Sequence, residues 1–212
     1  MCCSEIQHRR SIRLKRYDYS EPGYYFFTIC IHDRSQKLFG DIIFNPPVVG
    51  AGSKPALCPA LNLNEYGNIV NFTWNDLPNH IPGIELDEFV VMPNHVHGII
   101  RIIGSDLQRD LQRAERAGLE PAPTDKLQKR IVLSEIIRQF KTFSAKRINT
   151  RCNMYGISLW QRNYYEHIIR NEVSLNTIRK YINENPLNWK NDSENHINQE
   201  IDKFKMTEIN SR

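Results

Sequence analysis

His95 and His97 flank Val96 in the run VVMPNHVHGIIRI, and two imidazoles held one residue apart are the first chemistry the chain offers. On a strand, side chains alternate with period two, so both rings project from one face. Two neutral imidazoles one strand repeat apart can hold a single divalent cation. Taken alone, a His-X-His pair reads more readily as two strand histidines with no ligand, and Asn94 before it as a turn residue or an orienter. No third His or carboxylate stands at HExxH spacing, and the five cysteines (Cys2, Cys3, Cys30, Cys58, Cys152) form neither a CxxC nor a Cys/His zinc pattern. A structural zinc site and a disulfide framework are therefore not expected.

The elements that would position these rings follow from periodicity. Tyr24 to Ile31 (YYFFTICI) is aromatic and β-branched, which predicts a mostly buried strand. Asn45 to Leu63, rich in Pro, Gly and Ala, reads as a loop. Asn64 to Leu77 carries Tyr66, Ile69, Val70, Trp74 and Leu77 at helical spacing, with Pro78 just past the expected end. LDEFVVM and HVHGIIRII are β-rich runs around a Pro-Asn pair, hence a hairpin or a close strand-to-strand connection, with the histidines at the start of the second strand. Leu133 to Asn149 places Ile136, Ile137, Phe140, Phe143 and Ile148 near one stripe of a second helix. Tyr164 to Arg170 reads as a short strand, and Ser174 to Asn185 as a helix with Ser174 its N-cap and Pro186 its stop. The order β, α, β, β, α, β, α predicts an α+β, ferredoxin-like sandwich, its sheet mainly antiparallel with helices packed on it.

Hydrophobic residues are 40% and charged residues 25% of the 212, the balance of a globular protein with one domain. No apolar run reaches the roughly 18 residues a membrane helix needs, and the start, MCCSEIQHRRSIRLKRYDY, has no secretory apolar stretch, so no membrane partner and a cytoplasmic location are expected. The net charge of +4 is uneven, with Arg9, Arg10, Arg13, Lys15 and Arg16 crowding one end. That permits a nucleic-acid role as readily as a solvated surface. The expected organisation is a basic arm over 1–22, a domain over 23–189 and a tail over 190–212 in which Ile197, Ile201 and Phe204 suit a short docking helix. Within the domain, 104–130 is charged and poor in large apolar residues, and reads as a mobile insertion.

LFGDI near Leu38, the YGNIV helix, LDEFVVMPNHVHGII, FKTFSAKRI, LWQRNYYEHIIR and IRKYINENPLNW occur in that order from about Gly23 to Trp189. Together they resemble the REP-associated branch of the tyrosine transposases, within the HUH nuclease superfamily. The resemblance implies His95 and His97 as metal ligands, Tyr181 as the nucleophile and Asn185 as a third ligand, with Mg²⁺ or Mn²⁺ as the cofactor. Tyr181 and Asn185 stand four apart on the expected helix and share a face. Glu184 is the rival ligand, a better anion but turned about 100° away. Tyrosine is protonated at neutral pH, with an ordinary pKa of about 10, so it attacks only when its proton is removed or a nearby metal favours phenolate.

The resemblance further implies cleavage and rejoining of single-stranded, hairpin-forming, REP-like DNA through a covalent 5′-phosphotyrosine. Arg13, Lys15, Arg16, Lys141 and Arg162 are candidate DNA contacts, and Tyr17, Tyr19, Tyr24, Tyr25, Trp160, Tyr164 and Trp189 include candidate faces for stacking unpaired bases. Tyr164 and Tyr165 alternate on their strand, so at most one faces the histidines, in packing or in DNA stacking. A retired, palindrome-binding protein and a water-using metallonuclease are the competing readings, and the working unit is a monomer or a homodimer.

Overall fold

A computed structural model describes residues 17–44, 59–103, 131–153, 156, 158–192, 194 and 195. The arm residues Arg13, Lys15 and Arg16, the insertion 104–130 and the tail residues Ile197, Ile201 and Phe204 lie outside these. Among the described residues, nine regular elements run in the order β1 (Gly23–Cys30), β2 (Gly40–Phe44), β3 (Pro59–Leu63), α1 (Glu65–His80), β4 (Ile84–Val91), β5 (His95–Ile102), α2 (Leu133–Arg151), β6 (Tyr165–Ile169) and α3 (Glu172–Glu184), followed by a 3₁₀ turn at Trp189–Asn191. The main sheet has the order β4-β5-β1-β6, and every neighbouring pair is antiparallel. With α1 and α2 as the connecting helices this is the ferredoxin-like βαββαβ arrangement.

The sheet is buried on both faces by different partners. Alternation sends Tyr25, Phe27 and Ile29 of β1 and Val96 and Ile100 of β5 to one face, where α1 (Val70, Trp74, Leu77) and α2 (Leu133, Ile136, Ile137, Phe140, Ile148) close the larger core. Here Gly98 is required, because a Cβ would stand 2.7 Å from Phe27 and 2.9 Å from Phe89. Phe26, Ile99, Ile169, Leu175 and Ile182 form a second, smaller core on the opposite face. That face carries His95 and His97, and α3 lies across it against β4 and β5.

Three local expectations need correcting. The segment read as a loop to Leu63 ends in a strand, since β3 pairs with β2 from Gly40↔Leu63 to Phe44↔Pro59. Pro59, Ala60 and Asn62 are poor strand formers, so this pairing comes from the partner strand and not from propensity. Helix α1 runs through Pro78 to His80. So near the C-terminus, the lost N–H bond ends little helix, and the Ile81 N–H still donates to the Leu77 carbonyl at 2.9 Å. Asn171, not Ser174, caps α3: its side chain accepts from the Ser174 N–H at 2.8 Å, and the helix starts one turn earlier with Glu172.

Candidate active site

Each imidazole is held through its Nδ1. Asn94 fixes the first: its Nδ2 donates to the carbonyls of Arg34 (2.9 Å) and Glu194 (2.8 Å). Two acceptors leave the amide one orientation, so Oδ1 faces His95 Nδ1 at 2.8 Å and must accept from it. His95 Nε2 therefore presents a lone pair. His97 Nδ1 lies 2.8 Å from the Thr28 hydroxyl, its cross-strand neighbour, and the two Nε2 atoms converge to 2.9 Å. If the hydroxyl donates, a proton on His97 Nε2 closes the pair; if it accepts, two lone pairs face one spot, an arrangement that a cation satisfies.

Both rings are buried. Phe26 stacks on His97 at 5.7 Å between centroids, and Trp189 lies 6.0 Å from His95. Burial is the main reason both pKa values fall, His97 to about 3 and His95 well below its ordinary value, with the His97 ring and Arg34 adding to the effect on His95. Neutral imidazoles are what metal ligation needs.

Helix α3 delivers the remaining groups. Leu175 and Ile182 face the sheet, which turns Tyr181 and Asn185 toward one flank and Arg179 toward the other. Tyr181 is 47% exposed, and its hydroxyl lies 3.4 Å from His97 Nε2. A group both within reach of the histidines and open to solvent can meet a substrate. Its pKa is raised, first by burial of its inner side and then by Asp192, while the Asn185 amide works against the rise. Asn185 is buried, and its Oδ1 has no hydrogen-bond partner among the described residues. An orphaned buried oxygen costs about 1–3 kcal/mol unless something binds it, so Asn185 fits a ligand position. Glu184 lies on the outer side of α3, with Oε1 3.8 Å from Lys180 Nζ.

Asp192 was not visible as a site residue in the sequence. After Pro186 the chain folds back through the 3₁₀ turn and packs against the site as far as Asn195, whose Nδ2 donates to the Trp189 carbonyl. This brings Asp192 Oδ2 to 3.6 Å from His95 Nε2, while Oδ1 accepts from the Glu194 N–H. His95, His97 and Asp192 thus offer ligand atoms within 4.8 Å of one another. A carboxylate beside two neutral imidazoles is a donor set that a divalent cation would satisfy. Its signal was a single Asp beyond a proline, with no period to link it to the histidines.

Among the other candidates, Lys141 turns inward, its Nζ donating to the carbonyls of Gln161, Arg162 and Asn163 at 2.9, 3.3 and 3.1 Å. Arg162 is exposed, three residues before β6. Tyr25, Trp160 and Trp189 are buried, Tyr17, Tyr19 and Tyr164 pack against the larger core, and Arg101 covers Tyr24. Tyr165, on the face of the histidines, is 46% exposed.

Residues 126–185, which include α2, β6 and the tyrosine helix, match the family model for IS200-like transposases. The chain is 38% identical over 189 residues to an uncharacterised Haemophilus influenzae protein, covering 88% of this chain and 93% of that one. It is 25% identical over 172 residues to a protein of the same organism provisionally named a REP-associated tyrosine transposase, covering 81% and 74%. Among solved structures, similar ones are a REP-associated tyrosine transposase bound to a REP hairpin (20% identity, 82% of this chain and 72% of that one, TM-score 0.44) and a protein from Deinococcus radiodurans provisionally identified as a transposase (17%, 81% and 95%, TM-score 0.39).

Proposed function

The chain belongs to the IS200-like transposase family, with REP-associated tyrosine transposases among its relatives, and on that footing we propose that it cleaves and rejoins single-stranded DNA through Tyr181. The observation that supports this best is the Tyr181 hydroxyl 3.4 Å from His97 Nε2, beside the three-donor cluster of His95, His97 and Asp192.

In this reading His95, His97, Asp192 and Asn185 hold one divalent cation, with Glu184 outside the set. The bound ion would draw charge off a non-bridging phosphate oxygen and favour the phenolate. The chain supplies the rest. Asn94 and Thr28 hold the two imidazoles in place, Phe26 and Trp189 keep water from their rings, and Asn185 donates toward the Tyr181 oxygen. The phenol proton passes to water, the tyrosine oxygen attacks phosphorus, the P–O bond to the 3′ oxygen breaks, and that oxygen takes a proton from water to leave as a 3′-hydroxyl while the 5′-phosphate stays on Tyr181. Attack by a 3′-hydroxyl runs the same step backwards and rejoins strands without another energy source. The substrate class we infer is hairpin-forming, REP-like DNA with an unpaired flank, since a Tyr181 set among buried rings at the sheet surface meets a flexible single strand more readily than a stiff duplex.

The test is an end-labelled cleavage assay with hairpin oligonucleotides from palindromic repeats beside the encoding locus, in Mn²⁺ or Mg²⁺ and in EDTA. Metal-dependent cleavage that leaves a free 3′-hydroxyl and a blocked 5′ end, lost in Tyr181→Phe and in His95→Ala, is expected. Cleavage that leaves a free 5′-phosphate would instead indicate water as the nucleophile, and tight binding without cleavage in any metal would indicate a retired, DNA-binding role.

A further inference from the structure

Besides Tyr181 itself, Tyr165 is a large exposed aromatic on the site's own face, at 46% exposure. The sheet register places it: Thr28 of β1 is the cross-strand partner of His97 on one side and of Tyr165 on the other. Cross-strand partners point to the same face, and each strand step is about 4.8 Å, so the Tyr165 side chain rises from the sheet about 10 Å from His97 in a single row. The aromatic contacts agree. Phe26 lies 5.7 Å from His97, 6.1 Å from Tyr181 and 6.2 Å from Tyr165, between centroids, and so bridges the site and this ring.

Tyr165 packs beside Phe26 and leaves 46% of its surface exposed. Helix α3 packs on β4 and β5, and β6 is the edge strand, so that part of the face is left open. A groove of about 500 Å³ runs beside it, lined by Tyr19, Tyr165, His167, Arg170, Asn171 and Ser174 among others. Arg162 stands exposed three residues before β6 and Arg170 directly after it, with no ion pair to either among the described residues. An open ring with a cation before and after its strand matches what an unpaired nucleotide presents, a flat π-face on a charged backbone.

We propose that Tyr165 is the stacking platform for the unpaired base next to the scissile phosphate, with Arg162 and Arg170 meeting the backbone on either side. The assignment rests on the DNA-cleaving reading of the site. It adds a subsite that holds the single strand in register with Tyr181. Of the paired tyrosines only Tyr165 has this role, because alternation sends Tyr164 into the larger core.

The experiment scans 2-aminopurine through the unpaired flank of the hairpin oligonucleotide, with the full-length protein and the metal chelated, so that its result does not depend on whether Tyr181 cleaves. Stacking on an aromatic ring quenches this base. Quenching is expected at one position beside the cleavage point, lost in Tyr165→Ala, retained in Tyr165→Phe and unchanged in Phe72→Ala, an exposed aromatic on α1. The same Tyr165→Ala change should weaken binding on the order of tenfold. A quenching profile that Tyr165→Ala leaves intact would overturn the proposal, as would weaker binding without any position-specific loss. Absence of quenching in the wild-type protein at every position overturns it equally.

Discussion

At the scale of single residues, the site is arranged by groups that do not touch a substrate. Asn94 has spent both amide protons on backbone carbonyls, and that expenditure is why its oxygen can face only His95. Asn94→Ala should therefore do two things at once. It leaves the Arg34 and Glu194 carbonyls without their donor, costing about 1–3 kcal/mol in unfolding free energy. It also frees the His95 ring to turn, which should weaken Mn²⁺ binding about 10- to 100-fold by calorimetry. An affinity equal to wild type would mean the ring is held by packing alone. The histidine pair was legible in the sequence because period two is a local rule, and Tyr181 with Asn185 because four residues make one helical turn. Asp192 was not, since its place beside His95 is made by a fold-back after Pro186 that no short-range spacing encodes.

At the scale of elements, the question is what sets the rotation of α3, because turning it would carry Tyr181 away from His97. Burial of Leu175 and Ile182, worth about 1.5–3 kcal/mol each, docks the helix on the sheet but is not directional. Arg179 supplies direction: its Nε and Nη2 reach the two oxygens of Asp87 at 2.9 and 2.6 Å. Asp87 follows Leu86, which packs on the larger core, so alternation turns it to the face of α3, at the point where β4 slips register between Leu86 and Phe89. The guanidinium in turn lowers the Asp87 pKa. Arg179→Gln should cut kcat while leaving KM for DNA closer to wild type, and the exchange of Arg179→Asp with Asp87→Arg should recover part of the loss. Unchanged kcat would show that apolar docking alone sets the helix. The order of main-sheet elements could be read from hydrophobic periodicity. The β2–β3 pairing and the β4 irregularity could not, because each depends on a partner strand distant in sequence.

For the whole molecule, the decisive feature is a four-stranded sheet with a large core on one side and the site on the other. Placing two neutral imidazoles in the smaller core has a consequence for stability. Both pKa values are depressed in the folded chain, that of His97 to about 3. As pH falls through about 6.5, the unfolded chain takes up protons that the folded chain refuses, so metal-free stability should fall with pH, by up to about 1.4 kcal/mol per unit for each ring. The lowered carboxylates Asp76 and Asp87 act in the same direction but only nearer pH 4, and Asp192, whose pKa is raised by burial, acts in the opposite direction, so between pH 6.5 and 5 the slope is that of two rings less the share of one carboxylate. Urea unfolding in EDTA should show this slope, reduced by about half in His97→Gln, and a flat profile in the wild type would contradict the burial argument. Among the described residues no helix is long and apolar enough to cross a membrane.

The central claim is that Tyr181 becomes covalently joined to DNA, and the most direct measurement is peptide mass mapping of the protein after reaction with a hairpin oligonucleotide in Mn²⁺. A nucleotide-bearing peptide that contains Tyr181 is expected, absent in EDTA and in Tyr181→Phe. A nucleotide carried instead on another tyrosine, or cleavage that proceeds undiminished in Tyr181→Phe with no adduct anywhere, would contradict the claim.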